Sequence, residues 1–223
     1  AAGTTMLMDI NPSSVPFLNT QWFVGFQEKV YFTENDGTGV ELWVTDGTSL
    51  GTHIVKEIGD QNNYIEHLTA TNEYLLFTAH GSSAYPTIWK SDGTEPGTSE
   101  LVPMNVNLIA DLEFVEHAGL VYFMGYDSAT GNELWTTDGT PAETQILQDY
   151  NQGASSTPES FIQLGNQLLF TALKGGYRQL FTSDGTGPNT FAVKNPNAAP
   201  DAVYVYDTVY TNVNGTLFFG GNN

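Results

Sequence analysis

Apolar residues in this chain come in short runs bounded by turn-forming residues, and the runs pair up along the sequence. Trp22 to Phe26 and Val30 to Thr33 flank Gln27-Glu28 and predict two strands joined by a tight turn. The arrangement returns around Asn72-Glu73, Ala118-Gly119, Gly165-Asn166 and Asn214-Gly215, residues that suit primed hairpin turns in most copies. The second strand of each pair carries Tyr31-Phe32, Leu76-Phe77, Tyr122-Phe123, Leu169-Phe170 or Phe218-Phe219. These runs do not alternate cleanly with polar residues, as expected of sheets packed on both faces. No stretch has convincing helical periodicity.

A polar turn such as Asn35 to Gly39 or Asp127 to Gly131 leads from each pair into a third strand with a fixed signature. Its copies read Glu41-Leu42-Trp43-Val44-Thr45-Asp46-Gly47-Thr48, Thr87-Ile88-Trp89-Lys90-Ser91-Asp92-Gly93-Thr94, Glu133-Leu134-Trp135-Thr136-Thr137-Asp138-Gly139-Thr140 and Gln179-Leu180-Phe181-Thr182-Ser183-Asp184-Gly185-Thr186. Asp46, Asp92, Asp138 and Asp184 are each 46 residues apart. A fourth run rich in Ile, Val and Leu follows each signature, at Gly51 to Ile58, Gly97 to Met104, Glu143 to Tyr150 and Asn189 to Lys194.

Four short strands per repeat, with a period of about 40 to 50 residues, are what a β-propeller blade requires. The fold class expected is therefore all-β, a propeller of about five four-stranded blades in a single domain over residues 1–223. The repeat units begin near 3, 51, 97, 143 and 189, and the last is incomplete. Thr5 to Ile10 aligns with the fourth strand of a unit, and Tyr210 to Asn223 supplies only a first and second strand. The N-terminal segment is thus expected to be a strand that closes the ring within the C-terminal blade.

With 25 acidic and 6 basic residues, the net charge of −19 repels a phosphate backbone and argues against a nucleic-acid partner. Cysteine is absent, which removes disulfides and thiolate chemistry. No apolar run is long enough for a transmembrane helix. The start at Ala1-Ala2-Gly3 is what removal of a secretory signal leaves, and equally what trimming leaves; export is the expectation.

Candidate chemistry is sparse. Trp43, Trp89, Trp135 and Phe181 fit a ring of ligand-stacking aromatics, but one large aromatic per blade at fixed register is better read as packing. Asp46, Asp92, Asp138 and Asp184 invite repeated calcium sites, yet no EF-hand or nonapeptide pattern accompanies them. A carboxylate capping the amides of its own turn suffices, so no metal and no cofactor are expected. His53, His67, His80 and His117 occupy non-equivalent places without ligand spacing. Asp111, Glu113 and Glu116 cluster and are the carboxylates an acid–base pair for glycoside cleavage would use. No serine elbow or phosphate-binding loop occurs, so catalysis is not expected.

Binding residues sit on variable loops over a rigid scaffold. The departures from the repeat, Gln61 to Tyr64, Gly81 to Tyr85, Gly175 to Arg178 and Asn195 to Tyr206, nominate Tyr64, Tyr85, Tyr177, Tyr204 and Tyr206 for contact with a protein or glycan. Ordinary loop filling accounts for them as well.

The signature at Glu41 to Thr52, with its closing Gly51-Thr52, resembles the bacterial ELWxxDGT repeat family. The likeness is close at Ile88 to Thr98 and Glu133 to Thr140; Ala142-Glu143, Phe181 and Asn189 depart from the pattern. It spans essentially the whole chain. The resemblance implies a secreted or cell-surface bacterial protein, often a larger one with many repeats, and no common activity. The function expected is a non-catalytic binding or assembly module for adhesion, with a protein or surface glycan as partner. A hydrolase or lyase acting on polysaccharide, or a structural subunit of a larger surface assembly, are the alternatives.

Overall fold

The computed structural model describes residues 3–11, 22–58, 64–80, 85–102, 112–194 and 203–222. The chain falls into two compact units, Ala1–Asn107 and Leu108–Asn223. Among the described residues the secondary structure is strand throughout, apart from one 3₁₀ turn at Gly187–Asn189.

Unit 1 holds two four-stranded antiparallel sheets. The first is β1 (Phe23–Phe26), β2 (Lys29–Asn35), β3 (Val40–Thr45) and β4 (His53–Glu57); the second is β5 (Ile65–Ala70), β6 (Leu75–Ala79), β7 (Thr87–Ser91) and β8 (Ser99–Val102). Unit 2 holds β9 (Val115–His117), β10 (Leu120–Asp127), β11 (Gly131–Thr137) and β12 (Gln145–Gln148) in one sheet. Its other sheet contains β13 (Glu159–Leu164), β14 (Gln167–Lys174), β15 (Tyr177–Ser183), β16 (Phe191–Ala192), β17 (Tyr204–Val213) and β18 (Thr216–Asn222). Every sheet is a meander in chain order, as expected for blades, and β17–β18 is a further hairpin that joins the last sheet through Gln179↔Tyr204.

One register runs through all four sheets. Phe32 lies opposite Trp43, Phe77 opposite Trp89, Phe123 opposite Trp135, and Phe170 opposite Phe181. The rings stack at centroid distances of 6.2 Å for Phe32–Trp43, 6.3 Å for Phe77–Trp89 and 5.4 Å for Phe170–Phe181. In the first three sheets the pairing of third and fourth strands slips just before the tryptophan, at Leu42/Trp43, Ile88/Trp89 and Leu134/Trp135. A bulge at one repeated position adds the same local twist to each sheet.

Sheets pack face to face within each unit. In unit 1 a core of Phe26, Tyr31, Leu42, Val44 and Val55 meets Ile65, Leu68, Leu75, Phe77 and Ala79 of the next sheet. In unit 2, Tyr122 and Leu134 meet Leu168, Phe170, Ala172 and Phe181, with Tyr150 between. The Tyr31 hydroxyl lies 2.2 Å from where a Cβ on Gly93 would stand, and the Tyr122 hydroxyl 2.7 Å from that of Gly185. The glycine of the Asp-Gly-Thr corner thus serves twice, as a residue at φ +90 or +100 and as the floor on which the preceding sheet's tyrosine rests.

Most hairpin turns are of the expected primed type. Ala118-Gly119 and Asn214-Gly215 have positive φ at both positions, and Gly165 alone is positive in its pair. Asn72-Glu73 differs: the turn is widened and organised by Thr71, whose amide and hydroxyl both donate to the Tyr74 carbonyl, at 2.9 and 2.7 Å. Gln27 and Glu28 take φ of 49 and 61 without a glycine, a strained choice for exposed side chains. Replacing the pair by Asn-Gly is expected to stabilise unit 1 by about 1 kcal/mol, read as a rise in denaturation midpoint at unchanged m-value.

One expectation is corrected. Thr5 to Ile10 forms no strand; residues 3–11 carry no strand pairing. They are tied to unit 1 by the Ser49 hydroxyl donating to the Leu7 carbonyl at 2.8 Å and the Asn11 amide donating to the Asn35 carbonyl at 3.0 Å. Matching apolar composition gives a segment strand propensity, but a ladder needs a neighbouring strand with free backbone groups.

Candidate functional site

A four-stranded meander puts its connections at two ends. The turns between first and second strands share one end with the Asp-Gly-Thr corners between third and fourth. The connections between second and third strands share the other end with the links from one sheet to the next. The first is the corner end and the second the loop end.

The corner end is uniform. Asp46 Oδ1 accepts from the amide and hydroxyl of Thr48 at 2.9 and 2.7 Å, and Asp92, Asp138 and Asp184 repeat this with Thr94, Thr140 and Thr186. Hydrogen bonds from threonine hydroxyls and amides hold Asp46, Asp92 and Asp184 below the usual carboxylate range. The stability they contribute is present above the ordinary value of 3.8 and is lost as pH falls through the depressed one.

A second set of residues completes the corner. The amide of Gly47 donates to Thr45 Oγ1, which lies 2.7 Å from Thr52 Oγ1, and Thr52 donates to the Thr48 carbonyl. Ser91 with Thr98, Thr137 with Thr144 and Ser183 with Thr190 build the same hydroxyl chain. Sequence reading gave these residues no role, although a hydroxyl before the aspartate and a threonine six places after it recur in every copy. Gly51 and Gly97 pack against their aspartates, with a Cβ position 2.1 and 2.0 Å from Oδ1. Asn189, in the same place of the fourth copy, donates to Asp184 Oδ2 at 2.7 Å instead. The Asp-Gly-Thr corners are thereby built from their own turns, and among the described residues no group of three metal-ligating side chains occurs.

The loop end is where the sheets differ. The first position of the repeated signature, Glu41, Thr87, Glu133 or Gln179, is buried in all four and fastens a loop differently in each. Glu41 is reached by the Asp36 amide at 3.4 Å and the Thr38 hydroxyl at 3.5 Å. Gln179 donates to the Lys174 carbonyl at 3.0 Å, and Thr87 to that of Ala79 at 3.4 Å. Glu133 accepts from Ser156 N at 3.0 Å, Ser156 Oγ at 2.5 Å and Tyr150 N at 3.3 Å, clamping the link between the two sheets of unit 2. That link is held again by Arg178, which donates to the carbonyl and hydroxyl of Thr157 at 3.1 and 3.0 Å and pairs with Glu159 at 3.3 Å.

Burial, then the nearby charge of Asp36, pushes Glu41 up from 4.5 to about 7. A raised carboxyl favours folding when protonated, so its contribution is complete below about 4.5 and fades as pH rises through about 7. Glu41→Gln is expected to remove this dependence. Relative to the variant, wild type should lose on the order of 2 kcal/mol between pH 4.5 and 8 in paired urea titrations.

Of the sequence-predicted contact residues, Tyr64, Tyr85 and Tyr177 are exposed, at 56%, 48% and 61%, and all three belong to the loop end of their sheets. Tyr64 and Tyr85 flank the second sheet of unit 1. Tyr177 opens β15 beside the Gly175-Gly176 turn and next to the anchored Arg178, in unit 2. Tyr204 and Tyr206 lie on β17 with side chains outside the described residues. Trp43 and Phe181 are buried, while Trp89 and Trp135 are half-buried. Asp111 lies outside the described residues, Glu113 is exposed ahead of β9, and the Glu116 carbonyl accepts from Gln163. His67 lies 3.0 Å from the Thr78 hydroxyl, and His117 lies 3.2 Å from the Asn166 carbonyl.

No family model matches the chain, and no curated protein matches it in sequence. Among solved structures it is similar to one from a study of two prolyl endopeptidases, with 16% identity and a TM-score of 0.50 over 86% of this chain and 33% of that one. It is similar to oligopeptidase B from Leishmania major, with 12% identity and a TM-score of 0.50 over 76% of this chain and 26% of that one. The β-propeller domain of the trilobed protease from Pyrococcus furiosus matches with 14% identity and a TM-score of 0.46, covering 79% of this chain and 55% of that one. The chain spans only 27% to 48% of the first solved structures it matches. Identities this low bear on the fold alone, and the chain's own four-stranded antiparallel meanders make that fold a β-propeller of four-stranded blades. No helix among the described residues is long and apolar enough to cross a membrane.

Proposed function

We propose that this chain is a non-catalytic binding and assembly module of a secreted or cell-surface protein, presenting a protein- or glycan-binding surface at the loop ends of its blades. The observation that carries this reading is the contrast between the two ends. The corner end repeats one hydrogen-bonded design four times, whereas the loop end differs from blade to blade and displays Tyr64, Tyr85 and Tyr177. Tyrosine offers a flat amphipathic surface at low entropic cost, suited to sugar faces and protein surfaces alike. The network around Glu133 and Arg178 holds the ground beneath Tyr177, so little ordering is left to oppose binding there. A net charge of −19 and the likeness to ELWxxDGT repeat proteins support a surface setting.

The test is a glycan array with a panel of surface proteins, probed with wild type, Tyr177→Ala and the double variant Tyr64→Ala/Tyr85→Ala. Binding should weaken at least about tenfold in one of the variants with the melting temperature unchanged. Turnover of a glycan, ester or peptide by the purified chain would overturn the reading.

A further inference from the structure

Each hairpin between a first and a second strand ends in a turn that lies in solvent: Gln27-Glu28, Asn72-Glu73, Ala118-Gly119 and Gly165-Asn166 are all exposed. The β17–β18 hairpin does the same, with Asn214, Gly215 and Thr216 exposed at its tip, so their accessibility is a property of the blade hairpin itself. Of the five tips this one reads Asn-x-Thr, the pattern on which carbohydrate is attached to an asparagine amide. Turn chemistry accounts for Asn214 and Gly215, at φ of 52 and 81, but asks for no threonine after them. The other turns are followed by Lys29, Tyr74, Leu120 and Gln167. The Gly215 amide donates to Asn212 Oδ1 at 3.0 Å, so closing the turn does not draw on the Asn214 side chain. Among the described residues no atom stands within 4 Å of where a Cβ on Gly215 would lie, which leaves a transferase room to approach. Asn11-Pro12-Ser13 has the same spacing, but its middle proline blocks the reaction.

We propose that Asn214 is a glycosylation site, modified on its side-chain nitrogen by a transferase that reads the Thr216 hydroxyl two residues on. In the step, Asn214 Nδ2 attacks the anomeric carbon of a glycosyl pyrophosphate. The carbon–nitrogen bond forms as the carbon–oxygen bond to pyrophosphate breaks, the pyrophosphate leaves on its carrier with the electron pair, and one amide proton passes to solvent. A nucleotide sugar and a polyprenyl-linked oligosaccharide share this chemistry. The second serves exported chains, and to that extent the site rests on the surface setting proposed above; the first does not need it. The product carries a bulky, hydrated group on the hairpin tip. Tyr64, Tyr85 and Tyr177 take no part in it.

The experiment incubates the full chain in one arm with a soluble Asn-x-Thr glucosyltransferase and UDP-glucose, and in the other with an oligosaccharyltransferase and its polyprenyl-linked oligosaccharide. Mass spectrometry maps the modified residue, and a peptide of residues 210–220 is the unfolded reference. In at least one arm Asn214 of the folded chain should be modified within about tenfold of the peptide's rate, a single hexose marking the first source and an oligosaccharide the second. Asn214→Gln should abolish the modification, Thr216→Ala should lower it at least about tenfold, and Thr216→Ser should keep it, which separates loss of the acceptor pattern from loss of the hairpin. Tyr177→Ala should leave it unchanged, so failure of the loop-end reading and failure of this one are told apart. A modified peptide beside an unmodified chain would show that the fold withholds the site and overturn the proposal. An unmodified peptide would overturn it as well, as would a bare Asn214 in protein isolated from its own cells.

Discussion

Phe170→Ala is expected to lower the stability of unit 2 by about 3 to 5 kcal/mol, the range for truncating a buried aromatic. Phe170 is fully buried and meets three other rings: Phe181 at 5.4 Å, and Tyr150 and Phe161 at 5.8 Å each. It belongs to the core that joins the two sheets of that unit, so the cavity would open at the seam rather than inside one sheet. A blade has too little apolar surface to stand alone, and the seam supplies what it lacks. The melting transition should fall by at least about 10 °C. Leu169→Ala, in the small cluster that Leu169 forms with Leu180, Ile162, Val203 and Leu217, should cost less, because Leu169 is the smaller side chain and keeps more exposure. Equal losses for the two variants would show that the seam is not the principal source of stability.

The strand register inside each sheet was legible from the chain itself. Phe32, Phe77, Phe123 and Phe170 recur at a fixed distance from their hairpins, and the residue that follows across the next turn is always Trp43, Trp89, Trp135 or Phe181. A side-chain period of two leaves no freedom once one face is buried, so alignment of repeats amounts to alignment of strands. The corner aspartates were legible for a similar reason, since an Asx turn is a local event.

What escaped sequence reading depends on neighbours. The likeness of Thr5 to Ile10 to β4 recorded composition alone, whereas residues 3–11 pair with no strand among the described residues. The hydroxyl chain through Thr45 and Thr52 involves residues that look like ordinary strand threonines until the corner folds them to 2.7 Å. Tyr31 gave no sign that its hydroxyl would rest on Gly93 of the next sheet. At the loop end, Tyr64, Tyr85 and Tyr177 were nominated by their departure from the repeat, whereas the buried acids Glu41 and Glu133 passed as parts of a motif. A carboxylate inside an apolar strand is itself a signal, because it must find donors or take up a proton.

Those two acids meet that demand differently, and the second large effect follows. Glu133→Gln should destabilise unit 2 by about 3 kcal/mol, although the change is isosteric. Each carboxylate oxygen faces a backbone amide that can only donate, Ser156 N at Oε1 and Tyr150 N at Oε2, with the Ser156 hydroxyl also donating to Oε2. Whichever way the glutamine amide turns, its own N–H groups oppose a buried donor, and one protein hydrogen bond becomes a repulsion. Burial raises the Glu133 carboxyl above its ordinary value, opposed by the bonds from Ser156 and Tyr150. The loop donors to Glu41, the Asp36 amide and the Thr38 hydroxyl, stand at 3.4 and 3.5 Å, longer than those to Glu133, so glutamine there should be tolerated. Chemical denaturation of both variants at pH 7 measures the contrast: a large loss for Glu133→Gln and little or none for Glu41→Gln. Hydrogen exchange should localise the first to the link around Tyr150 and Ser156 before global unfolding. If the two substitutions cost the same, the Glu133 clamp contributes no more than a buried side chain of its size, and the rigidity assigned to the ground under Tyr177 must come from Arg178 and Thr157 instead.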